Sequence, residues 1–450
     1  MGGKAVSTII LAAGFGTRMK SARAKVLHEI GGRALLGHVI DAATALQPAS
    51  MAIVIGEHAP ETGDYAKKQH ANIDVFIQAP PQGTGDAVKQ AAPSLDGFDG
   101  AVLVLFADTP LIRPETLNAL AAQIDNGASV AVLGFEPSEP GQYGRLKTGA
   151  AGDLEAIIEA ADATDEERAI ALCNSGVMAF DARFLKDNIG AIDNNNAKGE
   201  YYLTDLVAIA RSQGERCAIV NGDAEEVVGV NSREDLAAAE SIFQQRKRRA
   251  TMIDGATLLD PATVYFSFDT TIGKDVTIGQ NVVFGPGVAI ADNVLIKAFT
   301  HLEGARIAPN AVVGPFARLR PGADIHDGAR IGNFVEVKNA EIKDGAKVNH
   351  LSYVGDAVVG RSANIGAGVI TCNYDGFAKH KTEIGDSAFI GSNSALVAPV
   401  RVGDSAYVGS GSVITKDVDA GDLAVARGRQ SVIKGWAARF KKAHTKKSEP

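Results

Sequence analysis

Through much of the second half of this chain an apolar residue returns every sixth position. Ile272, Ile278, Phe284, Ile290, Ile296 and Leu302 keep the interval without a break. The beat begins at Ile253, Leu259 and Tyr265 and resumes at Ile307, Val313, Leu319, Ile325, Ile331 and Val337. It runs on through Ile342, Val348, Val354, Val359 and Ile365, breaks over residues 373–382, and returns from Ile384 to Ile414. A six-residue period held this long predicts a parallel β-helix, in which three short strands close a coil of about 18 residues. The apolar side chains point inward and stack on their counterparts, each burial contributing about 1.5–3 kcal/mol. Gly273, Gly279 and Gly285 directly follow three of the column residues and are expected where the chain turns a corner. Strands of a sandwich would instead alternate in polarity, with turn signals every ~8–12 residues.

A chain of 450 residues has room for two or three domains. Its net charge of −8 argues against a nucleic-acid surface. Cys173, Cys217 and Cys372 lie far apart without metal-type spacing, which suits a reducing compartment. No apolar run approaches the ~20 residues of a membrane span. The N-terminal apolar run is cut by Gly14, Gly16 and Arg18, unlike a secretory signal, and Val6 stands where a myristoylation signal at Gly2 needs Ser or Thr. A soluble cytoplasmic protein is expected, with neither nucleic acid nor membrane as partner.

The first half alternates short apolar strands with helical stretches. Residues 7–13 form a buried strand that runs into Gly14-Phe15-Gly16-Thr17-Arg18-Met19. Glycines after a strand let the backbone approach a phosphate, and Arg18 and Lys25 could meet its oxygens. A plain strand–turn–helix with solvated charges fits the same residues, since neither the dinucleotide fingerprint nor a P-loop is complete. Further strands are expected at 52–55, 74–77, 101–106, 129–134, 176–180 and 227–230, with a second glycine turn at 82–86 and a helix at 87–92. Asp108 follows the most apolar strand, where open α/β sheets bind ligands, but Asp is also a common turn residue. Asn231, ending the last expected strand, is placed to face Asp108.

A helix is expected from Ser232, with Ser232 as N-cap and Asp235 at the third position. Its apolar stripe is Leu236, Ala239, Ile242 and Phe243, and its basic end, residues 246–249, suits the helix dipole. This gives domains at 1–231 and 251–437, a linker helix at 232–250 that covers the first coil, and a C-terminal tail at 438–450, with a short amphipathic helix from about Lys434. Within the second domain, residues 317–322, 332–338, 349–356 and 364–376 interrupt the hexapeptide pattern. Arg320 and Lys338 are cations displayed from β-helix faces, suited to a sugar phosphate. His350 alone fits an ordinary structural histidine. The excursion at 373–382 leaves the coil as an active-site loop would.

The run Leu11-Ala-Ala-Gly-Phe-Gly-Thr-Arg-Met19, followed by Lys25-Val-Leu, resembles the signature of sugar-1-phosphate nucleotidylyltransferases. Gly83–Ala87, Ala107–Ile112, Tyr143–Arg145, Glu200–Asp205 and Val228–Asn231 fall in that family's order. The second half, through Arg318 to Tyr374, closely resembles the acetyltransferase half of the bacterial bifunctional N-acetylglucosamine-1-phosphate uridylyltransferase/glucosamine-1-phosphate N-acetyltransferase family. The resemblance implies a doubly wound α/β nucleotidyltransferase domain followed by a left-handed β-helix, an unusual hand against the right-handed rule for crossovers. It implies a homotrimer, acetyl-CoA bound between neighbouring β-helices, and synthesis of UDP-N-acetylglucosamine for the cell envelope.

For the first site the resemblance implies that Leu11, Ala12, Ala13, Gly14, Gln78, Gly83 and Thr84 hold UTP, with Phe106 and Ala107 beside them. Arg18 and Lys25 steady its phosphates, and Asp108 and Asn231 ligate Mg²⁺. Tyr143, Gly144, Glu159 and Asn174 hold N-acetylglucosamine-1-phosphate. For the second, Arg320 and Lys338 grip the phosphate of glucosamine-1-phosphate, and Tyr353 and Asn364 bind its sugar, with Asn373 and Tyr374 nearby, toward acetyl-CoA. His350 takes the proton of the attacking amine, with Glu336 to orient it; imidazole, with an unperturbed pKa of ~6.5, suits that task. Ala367, Ser392, Ser410 and Arg427 line the acetyl-CoA site, and a backbone donor at Ser392 serves the oxyanion. Ala24 replaces an expected proline, Phe106-Ala107 a small residue and glycine, and Asp86 a common histidine. Two further readings are a nucleotidylyltransferase whose β-helix only assembles subunits, and a non-catalytic sugar-nucleotide sensor.

Overall fold

A computed structural model describes residues 5–149, 152–160, 163–196 and 198–445. The sequence expectations for Gly2 and for the last five residues of the tail lie outside them. The chain divides into two compact units between Lys247 and Arg248.

The first unit is built on one nine-stranded sheet. Its strands are β1 (Val6–Ala12), β2 (Ser50–Gly56), β3 (Ile73–Gln78), β4 (Ala101–Phe106), β5 (Val130–Phe135), β6 (Arg145–Thr148), β7 (Leu154–Ile158), β8 (Cys173–Asp181) and β9 (Cys217–Asn221). The main path runs β9-β5-β8-β4-β1-β2-β3, with β6 and β7 paired off it. β4, β1, β2 and β3 are mutually parallel, whereas β8 is antiparallel to both β4 and β5. Side chains alternate between two cores: Ile10 and Leu103 pack on one face, Ile9, Leu11 and Val104 on the other. Burial on both faces explains why the central strand β4 (Ala101–Phe106) is apolar at every position, whereas the edge strand β3 carries Asp74 and an exposed Ile77. The expected strand at 227–230 is not one: Val230 N–H makes a single bond, 2.9 Å, to the carbonyl of Asp108. The strands β6, β7 and β9 were not expected from sequence.

The helix expected after Asn231 spans Arg233–Ile253. Ser232 caps it by accepting from Asp235 N–H at 3.1 Å, and the Asp235 carboxylate accepts from Ser232 N–H at 2.9 Å. Its apolar stripe packs on Ile30, Leu35, Leu111 and Val230 of the first unit. In its basic end, Arg246 donates to the carbonyl of Leu111 at 2.8 Å. Arg248, in the second unit, donates to the carbonyl of Val264 at 2.7 Å and lies over the Tyr265 ring. These two cations are engaged within the fold.

The second unit is a left-handed parallel β-helix. Thr277–Ile278 pairs with Leu295–Ile296, which pairs with Val312–Val313, and so on through the coils. The six-residue column forms the core from Ile278 through Ile296, Val313 and Val348 to Ile414, but not at its expected start: Ile253, Leu259 and Tyr265 are exposed, and Leu258, Val264 and Phe266 turn inward in the first coil instead. The corner glycines do something other than expected. Gly279 has an ordinary backbone, but a Cβ there would lie 2.6 Å from Ala298 N in the next coil. The left-handed residue comes two positions later, at Asp275, Asn281 and Gly287. The glycines after the column residues therefore serve close stacking of coils, and Asx or Gly residues make the turn.

The excursion at 373–382 is internally tied. Tyr374 and Lys379 form an antiparallel bridge, and the Asp375 carboxylate accepts from Phe377 and Ala378 N–H and pairs with His380 at 2.7 Å. These bonds hold Asp375 far below the usual carboxylate range, the Ala378 amide foremost and then His380. The C-terminal helix spans Trp436–Thr445 and is exposed throughout. No helix among the described residues is long and apolar enough to cross a membrane.

Candidate functional site

In the first unit β1 and β4 lie side by side and parallel, so the loops after both open at one edge of the sheet. That edge is where an open α/β sheet presents a ligand. Gly16 has φ +60, and a Cβ there would meet the Lys25 side chain at 2.6 Å; glycine lets the loop fold over the lysine. Lys25 Nζ donates to the Asp108 carboxylate and, at 3.1 Å, to Asn231 Oδ1. Residues 83 and 206 positions away in sequence thus converge on one ammonium.

Beside this cluster lies a cavity of about 400 Å³. Leu11, Ala12, Ala13, Gly14, Lys25, Gln78, Gly83, Thr84, Phe106 and Asp108 all line it. So do Phe15, Glu200 and Tyr202, which sequence reasoning did not assign. Phe15 stacks on His58 with ring centroids 4.4 Å apart. Ala107 is fully buried, its N–H bound to the carbonyl of Leu11 at 3.0 Å, so it ties the two loops together from below. Arg18 is exposed and makes no ion pair among the described residues.

The sugar candidates form a group around β6, β7 and β8. Asn174 N–H donates to the carbonyl of Gly144 at 2.8 Å. A Cβ on Gly144 would lie 3.7 Å from Glu159 Oε1. Tyr143 packs edge-on against Phe135, and burial raises its phenol pKa. The buried Arg145 donates to the carbonyls of Tyr143 and, at 3.3 Å, Gly141, fixing the loop that carries Tyr143. Phe106 reaches toward this group: its ring would be 2.8 Å from a Cβ on Gly176, so the glycine admits the ring.

The donor set at Asp108 and Asn231 fits a hard divalent cation. A carboxylate oxygen and an amide oxygen already converge on one positive charge, and Mg²⁺ is commonly held by one or two carboxylates completed by substrate phosphates and water. No set of three or more His, Cys, Asp or Glu suited to a metal occurs among the described residues.

In the β-helix, register decides which candidates meet. Arg318, Glu336 and Tyr353 are stacked in successive coils, as are Asn333 and His350 on the neighbouring face. Glu336, expected to orient His350, instead accepts from Arg320 at 2.8 Å. That bond raises the Arg320 pKa. His350 Nδ1 lies 2.8 Å from Asn333 Oδ1. Lys338 has a neighbour that sequence did not reveal: the Lys379 ammonium, brought back by the excursion, pushes Lys338 below the usual lysine range. Asn373 is buried rather than displayed, its amide donating to Asp356 and lying 3.5 Å from the Tyr353 hydroxyl. Burial opposes ionisation of Asp356, but bonds from Asn339 and Asn373 hold its carboxyl below the usual range. Tyr374 is exposed, and its hydroxyl donates to the carbonyl of Gly376 at 2.6 Å. Asn364 sits on the ladder between Lys347 and Phe389, and its side chain meets none of the other candidates by hydrogen bond.

The remaining candidates line up along one edge of the helix. Leu351 N–H bonds to the carbonyl of Asn333, Gly368 to that of His350, Asn393 to that of Ala367, and Gly411 to that of Ser392. Arg427 closes the row, donating to the carbonyl of Ser410 at 2.7 Å. His350, Ala367, Ser392, Ser410 and Arg427 therefore occupy one corner of successive coils, spanning ~19 Å at ~4.8 Å per coil. The track is long enough for an extended donor with its reactive end at His350.

Residues 8–174 match the MobA-like NTP transferase domain family. Residues 269–304, 304–339 and 381–416 match the bacterial transferase hexapeptide family. The whole chain is similar to the bifunctional protein GlmU of Rhodospirillum rubrum, 56% identical over 98% of both chains. It is similar to the proteins of the same name from Azorhizobium caulinodans, 54% identical over 99% of both, and Zymomonas mobilis, 48% identical over 99% of both. With one transferase domain following the other along nearly the full length of these relatives, the chain belongs to the GlmU family of bifunctional transferases.

Proposed function

We propose that this chain makes UDP-N-acetylglucosamine in two steps. It transfers acetyl from acetyl-CoA to glucosamine-1-phosphate, then uridylyl from UTP to N-acetylglucosamine-1-phosphate with release of pyrophosphate. The observation that carries the reading is the end-to-end similarity to bifunctional GlmU proteins, in a chain whose two units each hold a candidate site. A β-helix that only assembled subunits would have no use for His350 at the head of a corner track, or for Lys338 and Lys379 displayed side by side.

In the β-helix, Arg320, Lys338 and Lys379 bind the phosphate of glucosamine-1-phosphate, and Tyr353 and Asn364 the sugar. The amine attacks the thioester carbonyl of acetyl-CoA laid along Ala367, Ser392, Ser410 and Arg427, with Tyr374 flanking it. His350 Nε2 takes the amine proton, CoA leaves, and the Ser392 amide faces the oxyanion. Asn333 fills the orienting role first given to Glu336: its oxygen accepts from Nδ1–H, which leaves the Nε2 lone pair as the base.

In the first unit the sugar phosphate, held by Tyr143, Gly144, Glu159 and Asn174, attacks the α-phosphorus of UTP in line. Lys25 exchanges Asp108 for phosphate oxygens, and Arg18 closes on them from the exposed loop. Asp108 and Asn231 would hold Mg²⁺, which would supply neutralisation of phosphoryl charge. Subunits associate as a homotrimer, which gives the corner track a second wall. UTP and acetyl-CoA are cytoplasmic metabolites, so the enzyme works in the cytoplasm. The test is to incubate the protein with glucosamine-1-phosphate, acetyl-CoA, UTP and Mg²⁺. UDP-N-acetylglucosamine appearing through an N-acetylated intermediate supports both activities; its absence, with either partial reaction missing, refutes the reading.

A further inference from the structure

Gln78 ends the edge strand β3 and is almost fully buried, yet it lines the 400 Å³ cavity. Its Nε2 donates to the carbonyl of Gly83 at 2.9 Å and to Asp86 Oδ2 at 2.6 Å. Both neighbours are acceptors only, so the amide cannot turn over without setting oxygen against oxygen. Asp86 is itself held: its other oxygen accepts from Gln90 Nε2 at 3.2 Å, and it stands in the first turn of the helix Thr84–Ala91, where a carboxylate is favoured. Gln78 Oε1 is left without a protein donor, on the cavity side.

The cavity has a direction. Lys25 and Asp108 lie at the β1–β4 end, and Gln78 lies three strands from β4 along the path β4-β1-β2-β3, or ~14 Å at ~4.8 Å per strand. A nucleoside triphosphate with its phosphates at Lys25 puts its base at Gln78. There an amide oxygen demands a donor. Uracil offers its imide N3–H, whereas cytosine offers a lone pair at the same ring position.

We infer that Asp86 is a specificity-determining residue, holding the Gln78 amide with its oxygen toward the base so that the site prefers uracil to cytosine. It acts through Gln78 and is a positioning residue. The inference rests on the uridylyl transfer proposed above. A histidine at position 86 could donate as well as accept and would not enforce this orientation.

The experiment measures pyrophosphate release by the full chain with N-acetylglucosamine-1-phosphate and either UTP or CTP, for the unaltered protein, Asp86→Asn and Asp86→Leu. In Asp86→Asn the two side-chain amides can pair in either sense, and in both variants only the Gly83 carbonyl still opposes the turned-over Gln78. The ratio of kcat/KM for UTP over CTP is expected to fall by about tenfold or more in both variants, through KM for UTP, with kcat at saturating UTP within about twofold. Acetyl transfer and thermal melting, measured on the same samples, should not change. An unchanged UTP-to-CTP ratio overturns the inference alone, as does an equal loss for both nucleotides carried by kcat. If the unaltered protein transfers from no nucleotide, the proposed function falls and the inference with it.

Discussion

His350 Nδ1 lies 2.8 Å from Asn333 Oδ1, one coil away. An amide oxygen accepts from Nδ1–H in the neutral ring and stays bonded when the ring becomes imidazolium. Asn333→Leu should therefore lower kcat for acetyl transfer by about tenfold or more with little change in KM. Asn333→Asp keeps the acceptor but adds a charge that favours imidazolium, so the acid limb of the pH–rate profile should move to higher pH. A profile unmoved by either change would return Asn333 to a purely structural role.

His350→Ala should cut acetyl transfer at saturating substrate by about two to four orders of magnitude. Uridylyl transfer and melting should change little, because His350 is exposed and lies outside the apolar column. Thioester cleavage of acetyl-CoA is the readout. Near-normal turnover would mean another group serves as base; early melting with loss of both activities would mean His350 is structural.

Lys379 and Lys338 present two adjacent positive charges. Each repels the other until an anion binds between them. Lys379→Met should raise KM for glucosamine-1-phosphate severalfold while sparing kcat. Because Lys379 lowers the Lys338 pKa, Lys338 loses its proton at lower pH than an ordinary lysine, and KM should rise early on the alkaline side. In Lys379→Met that rise should shift to higher pH. KM profiles that superimpose would remove Lys379 from the phosphate site.

Asp108→Ala should abolish most uridylyl transfer while acetyl transfer survives, since Asp108 belongs to the Lys25–Asn231 cluster of the first unit. Assaying the two half-reactions separately decides this. Equal loss of both in a protein that still melts normally would argue against independent sites.

Gly332→Ala tests the packing beneath His350. A Cβ there would run into the backbone carbonyl of Asn349 in the next coil. Destabilisation of about 1–3 kcal/mol is expected, read as a lower melting temperature. A variant that melts like the parent would show that the coils can separate locally without cost.

The six-residue period determined the β-helix by itself, because every repeat meets the same demand: one apolar side chain inward, one close approach between coils. The buried parallel strands were equally plain, being short and largely apolar without alternation. What the period could not decide is which residue stacks on which. His350 stacks on Asn333 because the intervening coil is 17 residues; an 18-residue coil would set it against Gly332, while Glu336 stacks on Tyr353 and pairs with Arg320. Lys379 was hidden for a related reason: an excursion outside the repeat carries it back to Lys338. In the first unit, sequence offered Lys25, Asp108 and Asn231 as separate motifs, each with an ordinary reading. Only the order of strands in the sheet brings them to one point, since a contact between residues 206 positions apart is set by tertiary pairing and leaves no local trace in the chain.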